Sequence, residues 1–258
     1  VRTDELERLA DFEEWYWWHR GRRSIVCRLL ERFAPPRARI LDVGCGTGAT
    51  TAALRPFGSV SGVDTGLAGL RHARAHGLAV ARGSAEKLPV GDAKLDVAVA
   101  LDVLEHLDDD RRALAEILRV LRPGGVLLAT VPAYPFLWSS HDEALDHRRR
   151  YRRGELRERL LAAGFEITLC SHVMASILPP VMAVRLTERW WRRRAPATSG
   201  YLTLPRPMND LLARLVSLGG YLVPFLTLPF GLSIVAVARK PAPRAPSADG
   251  IQSDRTRR

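Results

Sequence analysis

Cysteine is scarce in this chain of 258 residues, occurring only as Cys27, Cys45 and Cys170. No two stand close together and none has a histidine at metal spacing, so neither a disulfide framework nor a zinc site is indicated. A reducing, cytoplasmic setting is expected. Lysine is almost missing as well, present at 87, 94 and 240 alone, so the formal charge of +11 is carried nearly entirely by arginine. Nucleic acid, anionic lipid or an anionic small molecule could use such a surface. The sequence lacks a DNA-reading helix pair, a zinc finger and an aromatic RNA-binding signature, so a nucleic-acid partner is not expected. The opening residues, VRTDELERLADFEE, lack the apolar core of a secretion signal.

What is present is regular alternation. The chain is 47% hydrophobic, enough to bury a real core. ARILDVG, GSVSGVD, LAVARGSA, KLDVAVALDVL, VLLATVP and FEITLCS read as six strands. Helical stretches separate them, among them GLAGLRHARAHG and GELRERLLAAG. DDRRALAEILRVLRPGG reads as an amphipathic helix with Leu114, Ile117, Leu118 and Leu121 on its apolar face, closed by Pro123 and Gly124. GLSIVAVARK reads as a seventh strand, at the edge of the sheet. The expectation is an α/β fold, a parallel sheet with helices on both faces, whose ligands bind beyond the carboxyl ends of the strands.

The stretch ILDVGCGTG follows the first strand directly. Gly44, Gly46 and Gly48 permit a tight turn and let a ligand approach the main chain, while the next helix offers unpaired N–H groups. Asp64 ends the second strand, where a carboxylate can accept both ribose hydroxyl protons. An adenosine ligand fits that pattern. The dinucleotide fingerprint G-x-G-x-x-G/A is also met by Gly44, Gly46 and Ala49, so the glycines alone leave a nicotinamide cofactor open.

From Ile40 to about Ser171 the chain resembles the class I S-adenosylmethionine-dependent methyltransferases, in particular small-molecule enzymes similar to the ubiquinone and menaquinone C-methylating ones. LDVGCGTG, GVD, GSAEKLP, LDVLEHL and LRPGG carry the resemblance, in order and at family spacing. It implies a Rossmann-like seven-stranded sheet and S-adenosylmethionine as cofactor. It also implies that Asp42 and the main chain of Gly44, Cys45, Gly46 and Gly48 surround the methionine end, and that Asp64 holds the ribose. Adenine would lie against Ser84, Ala85 and Glu86, and Leu101 with Val103 would form a wall. Ser84 stands where the family usually has Asp, which removes a charge from adenine recognition.

A sulfonium cofactor carries its own leaving group, so transfer needs an in-line acceptor rather than a metal or a covalent nucleophile. No metal is expected. His106, beside Glu105 after the fourth strand, is a candidate base, with packing against its helix as the alternative. PAYPFLWSSHDEALDHRRRY, after the fifth strand, adds His141, Asp142 and His147 for proton transfer. Its histidine and aspartate spacing is not metal-specific, because it fixes no third ligand. Arg148, Arg149 and Arg150 could neutralise an anionic acceptor, although three adjacent arginines cannot all point inward. Tyr134, Trp138 and Tyr151 would supply apolar or stacking surfaces. The resemblance makes EEWYWWHRGRR a lid helix over the cofactor, with Tyr16, Trp17, His19 and Arg22 as contacts; packing on the sheet is the alternative.

The organisation expected is an N-terminal lid or packing segment (1–36), a methyltransferase domain (37–240) with a helical insertion (173–230), and a polar, Pro-rich, disordered tail (241–258). No charged residue occurs between Arg214 and Arg239, but Gly219, Gly220, Pro224, Pro229 and Gly231 interrupt a membrane span. A cap over an apolar acceptor pocket is preferred for the insertion. Core or homodimer packing and peripheral membrane contact through Trp190, Trp191 and Arg192 to Arg194 are the other roles open to it. The activity expected is methyl transfer to a small or lipid-like acceptor, an anionic one being open to it, with O-methylation ahead of C-methylation. A nicotinamide-dependent oxidoreductase and a non-enzymatic cofactor-binding scaffold are the alternatives.

Overall fold

A computed structural model of the chain describes residues 12–191 and 204–242, with the side chains of 186–191 left aside. Seven strands form one sheet: β1 (Ala38–Val43), β2 (Gly58–Asp64), β3 (Ala79–Arg82), β4 (Leu95–Leu101), β5 (Leu121–Pro132), β6 (Glu166–Val173) and β7 (Ser233–Arg239). Their order is β3-β2-β1-β4-β5-β7-β6. The first five pair in parallel. β7 runs antiparallel to both β5 and β6, so the sheet is mixed rather than wholly parallel, and β7 is internal, not an edge. Its residues explain the place: Ser233 to Ala238 are all buried, a run that suits a strand covered on both faces.

The helices are α1 (Trp17–Phe33), α2 (Ala49–Ala53), α3 (Leu67–Ala75), α4 (Asp110–Val120), α5 (Ser140–Ala144), α6 (Arg153–Ala162), α7 (Leu178–Trp191) and α8 (Arg206–Leu222). Asp109 caps α4 by accepting from Arg112 N at 3.2 Å, and Ala113, Leu114, Ile117 and Val120 are its buried residues. Leu121 does not belong to that helix. It opens β5 opposite Leu95, because Pro123 disfavours helical geometry at the residue before it and the buried Leu121 joins the ladder instead.

β4 shows how the layers divide. Ala98 and Ala100 face a core shared with Leu114 and Ile117 of α4 and Leu156 and Leu160 of α6. Val97 and Val99 face the other core, with Ile25, Val26 and Leu29 of α1 and Val216 of α8. α1 and α8 pack against each other on this face, α1 touching β5 and α8 touching β6. The approach of the two helices is close: a Cβ on Gly21 would stand 2.4 Å from Val216 Cγ1, and one on Gly220 would stand 3.0 Å from Ile25 Cα. The outer face of α8 exposes Leu211, Leu215, Leu218 and Leu222.

The insertion thus divides its work. α8 packs on α1, while α7 crosses the loop after β5, where Arg185 donates to the Leu137 carbonyl at 2.8 Å. Among the described residues no helix is long and apolar enough to cross a membrane. Arg192 to Arg194, residues 1–11 and the tail from 243 lie outside the described residues, and nothing is stated of the Trp190 and Trp191 side chains.

Candidate functional site

The order of the sheet turns back between β1 and β4, and the connections leaving their carboxyl ends form the site. After β1, Gly44, Gly46 and Gly48 take φ of +75°, +53° and +88°, values open to glycine without strain. Gly44 N and Cys45 N both donate to the Val63 carbonyl, at 2.7 and 3.1 Å, which ties the turn to β2. A Cβ on Gly44 would stand 2.5 Å from Val103 Cγ2, whereas one on Gly46 would meet nothing within 4 Å. The glycine at 46 therefore leaves open space against bare main chain. That is the cradle an adenosyl cofactor needs.

Asp64 is bound to the same turn. One carboxylate oxygen accepts from Gly46 N at 2.9 Å and the other from Gly66 N at 2.7 Å. Each oxygen keeps a lone pair for a ribose hydroxyl. Asp42 is buried and accepts from Thr51 Oγ1 at 2.6 Å. Burial pushes its carboxyl up to about 7; the Thr51 bond opposes the shift, and the charges of Asp64 and Glu13 add to it. A carboxylate held so far from water suits a cationic partner, and Arg22 already acts on it from α1. Cys45 is buried, and burial followed by the charges of Asp42 and Asp64 raises its thiol far above the ordinary range, so it is no nucleophile. Ser84 Oγ accepts from Glu86 N at 3.2 Å in the turn after β3, Ala85 is buried beside them, and Glu86 Oε1 accepts from Asp109 N at 3.4 Å. Leu101 ends β4, buried.

Three acidic groups at this end had no role in the sequence reading. Glu13 is buried over the glycine turn, where it accepts from Thr47 Oγ1. Asp102, at φ +54°, accepts from Thr130 Oγ1 at 2.9 Å and pairs with Arg22 of α1. Tyr16 is buried among aromatic rings, its centroid 5.5 Å from that of Trp17 and 6.3 Å from that of His19. The third group is Glu105. It is 0% exposed, and neither carboxylate oxygen has a hydrogen-bond partner. Burial, then the charge of Asp102, raises its carboxyl well above the ordinary value. Its signal in the sequence was its place beside His106 in LEHL.

The loop after β5 brings His147 to His106, ring centroids 4.7 Å apart. His147 Nδ1 bonds Asp142 Oδ1 at 2.8 Å. Burial opposes ionisation of Asp142, but the bonds from His147 and Arg150, with Arg185 nearby, outweigh it and hold its carboxyl well below the usual range. Burial, then the neighbouring His147, lowers His106 to about 4. One ligand atom each from Glu105, His106 and His147 lie within 4.8 Å of one another; His141, on α5, is not in that group.

The remaining loop residues are divided by burial. Tyr134 stacks on His172 at 5.2 Å, and Trp138 is 39% exposed. Arg148 donates to the His106 carbonyl at 3.0 Å, and Arg149 donates to the carbonyls of Leu107 and Asp108 at 2.9 and 3.0 Å. Both therefore staple this loop to the turn after β4. Arg150 is buried, bonded to Asp142 and to the Ala133 carbonyl. Tyr151 offers no surface to an acceptor. It is fully buried, and its hydroxyl bonds Asp110 Oδ2 at 2.6 Å and the Leu104 carbonyl at 3.2 Å, because the antecedent turn directs it into the core under β4.

Known proteins agree with this geometry. Residues 41–129 match the family described as a methyltransferase domain. A probable S-adenosylmethionine-dependent methyltransferase of Mycolicibacterium smegmatis is 36% identical over 160 residues, which are 60% of this chain and 61% of that protein. The ubiquinone biosynthesis O-methyltransferase of Hahella chejuensis is 38% identical over 105 residues, 38% of this chain and 44% of that one. The chain thus aligns with less than two thirds of the length of either. An S-adenosylmethionine-dependent methyltransferase from Thermotoga maritima shares the fold, with a TM-score of 0.58 at 19% identity over 92% of this chain and 96% of its own. The glycine turn, Asp64 and the sheet order stand beside these matches: residues 41–129 are similar to the methyltransferase-domain family, and the chain resembles the class I S-adenosylmethionine-dependent methyltransferases in fold.

Proposed function

We propose that this chain transfers the methyl group of S-adenosylmethionine to a hydroxyl oxygen of a small or lipid-like acceptor. The observation that carries the reading is the meeting of the glycine turn and Asp64 with the paired imidazoles of His106 and His147 at one end of the sheet. The cofactor, when bound, supplies an electrophilic methyl and its own leaving group. The Gly44 to Gly48 main chain and Asp42 hold its methionine part, Asp64 the ribose, Ser84 to Glu86 the adenine, and Leu101 and Val103 the wall beside it. Arg22 and Tyr16 close the cleft from α1 and exclude water. The acceptor hydroxyl enters at His106 and His147, and the bond from Asp142 fixes the ring of His147 so that its other nitrogen faces proton transfer.

An oxygen acceptor is favoured over carbon because a carboxylate-held imidazole suits removal of a hydroxyl proton, and because a relative named as a ubiquinone biosynthesis O-methyltransferase aligns with 38% of this chain. The apolar part of the acceptor has support in Phe136, 53% exposed, and Val184 of α7, 57% exposed. Each methylene moved from water into such surroundings contributes about 0.8 kcal/mol. The test is methyl transfer from labelled S-adenosylmethionine to matched acceptors varied separately in tail length and head-group charge, with the methylated atom read by mass spectrometry. Rising kcat/KM with tail length and a methyl on oxygen are expected. Equal rates at every tail length remove the lipid-like acceptor, and a methyl on carbon removes the hydroxyl.

A further inference from the structure

We propose that Glu105, His106 and His147 bind a divalent first-row metal ion, zinc by preference. Neither sequence segment contains a metal motif by itself. Folding joins a carboxylate and an imidazole from the turn after β4 to an imidazole from the loop after β5, with one ligand atom of each within 4.8 Å of the others. Two imidazoles and one carboxylate are a donor set that zinc accepts while keeping a further position open. Zinc bonds of about 2.0–2.1 Å set tetrahedral ligand atoms about 3.3 Å apart, so the side chains draw inward by up to about 1.5 Å. Rotation of the Glu105 carboxylate and of the His106 ring, with His147 kept on Asp142, would supply that.

Two independent observations point to the ion. Glu105 is fully buried and no donor reaches either of its oxygens. Two cations lie near it among the described residues, but Arg22 is paired with Asp102 and Arg150 is committed to Asp142 and the Ala133 carbonyl, so neither donates to Glu105. Second, His147 is held as metal-binding histidines usually are: its Nδ1 is tied to a carboxylate, Asp142 Oδ1 at 2.8 Å, which leaves the opposite nitrogen to bind. His106 likewise interacts with the main chain at Asp146, on the other loop.

The site stands on these side chains and rests on the methyl-transfer reading only for its role, in which the bound ion takes the place of His147 as the group that activates the acceptor hydroxyl. An acceptor hydroxyl bound at the open position loses its proton to solvent water more readily, because the ion stabilises the oxyanion. That oxygen then forms its bond to the methyl carbon as the carbon–sulfur bond breaks, and the sulfur keeps the electron pair. No oxidant or reductant takes part.

The full chain, stripped with chelator, is titrated with Co2+ and read by its visible absorption. In parallel it is dialysed against micromolar zinc and its metal content measured by mass spectrometry. One ion per chain is expected, with the absorption of a low-coordinate Co2+ site. Loss of the hydrogen bond behind a histidine ligand costs about 10–100-fold in metal affinity. Asp142→Asn should fall in that range, Glu105→Gln and His147→Asn should exceed it, and His141→Ala should keep the full metal content. Thermal melting and S-adenosylhomocysteine calorimetry on each variant separate lost metal from lost fold. A wild-type chain that retains no stoichiometric ion, or binding unaltered in the Glu105→Gln/His147→Asn double variant, overturns the site. Neither result touches the methyl-transfer reading, which falls only if S-adenosylhomocysteine gives no binding heat and no methyl is transferred.

Discussion

Asn209, on α8, caps α1: its Oδ1 accepts from Trp17 N at 2.8 Å and its Nδ2 donates to the Trp15 carbonyl at 2.7 Å. Tyr16, at the N-cap position of α1, makes no side-chain cap of its own, so the buried amide of Asn209 does that work from the far end of the chain. Asn209→Ala leaves two main-chain groups short of a partner and should lower stability by about 1–3 kcal/mol. Urea denaturation measures it. A midpoint equal to wild type would show that the insertion does not anchor α1.

Asp64 holds the turn and, in the function proposed, the ribose as well. Asp64→Ala removes acceptors for Gly46 N and Gly66 N and for the ribose hydroxyls, each bond to a charged group contributing roughly 1.5–3 kcal/mol. S-adenosylhomocysteine affinity measured by calorimetry should fall by more than tenfold, with a lower melting temperature. NAD should give no heat with either protein.

Asp42 makes cofactor binding depend on pH. Its folded value of about 7 lies above the ordinary 3.8, so the uncharged form is favoured in the fold. The stability this confers is complete below about pH 4 and is lost as pH rises through 7. A cationic ammonium needs the charged form, so S-adenosylmethionine affinity should rise between pH 6 and 8, by up to about tenfold per unit below 7. Proton release, read by calorimetry in buffers of different ionisation enthalpy, should accompany binding near pH 6.5. Asp42→Asn should abolish both the release and the pH dependence.

Tyr151 is predicted to matter for stability alone. Tyr151→Phe removes the bond to Asp110 and should cost about 1–3 kcal/mol, while methyl transfer per folded molecule stays unchanged. Arg159 also pairs with Asp110, which keeps that carboxylate partnered in the variant. A drop in kcat with unchanged stability would return Tyr151 to the acceptor site.

Local rules reach β1 to β4 and the glycine turn because the signals there are local. Glycine at φ near +53° to +88°, an apolar run ending on Asp64 and a capped amphipathic helix are each written within a few consecutive residues. Leu121 went to the wrong element because an apolar residue serves a helix face or a strand equally well, and only its pairing with Leu95 decides. Likewise the H-D-x-x-x-x-H-R-R-R-Y run is a string of polar residues until burial divides it. Folding sends Arg150 and Tyr151 inward and leaves Arg148 exposed.

The sequence by itself determined the class of the fold, the cofactor class and the glycine turn with Asp64 beside it, since all three depend on short-range backbone geometry and on residue chemistry at fixed spacing. Only the tertiary structure decided that β7 turns antiparallel between β5 and β6, that α8 buttresses α1, and that Glu105, His106 and His147 meet. Those outcomes depend on which buried surfaces and unsatisfied polar groups find one another across long stretches of chain, and no spacing along the sequence encodes that.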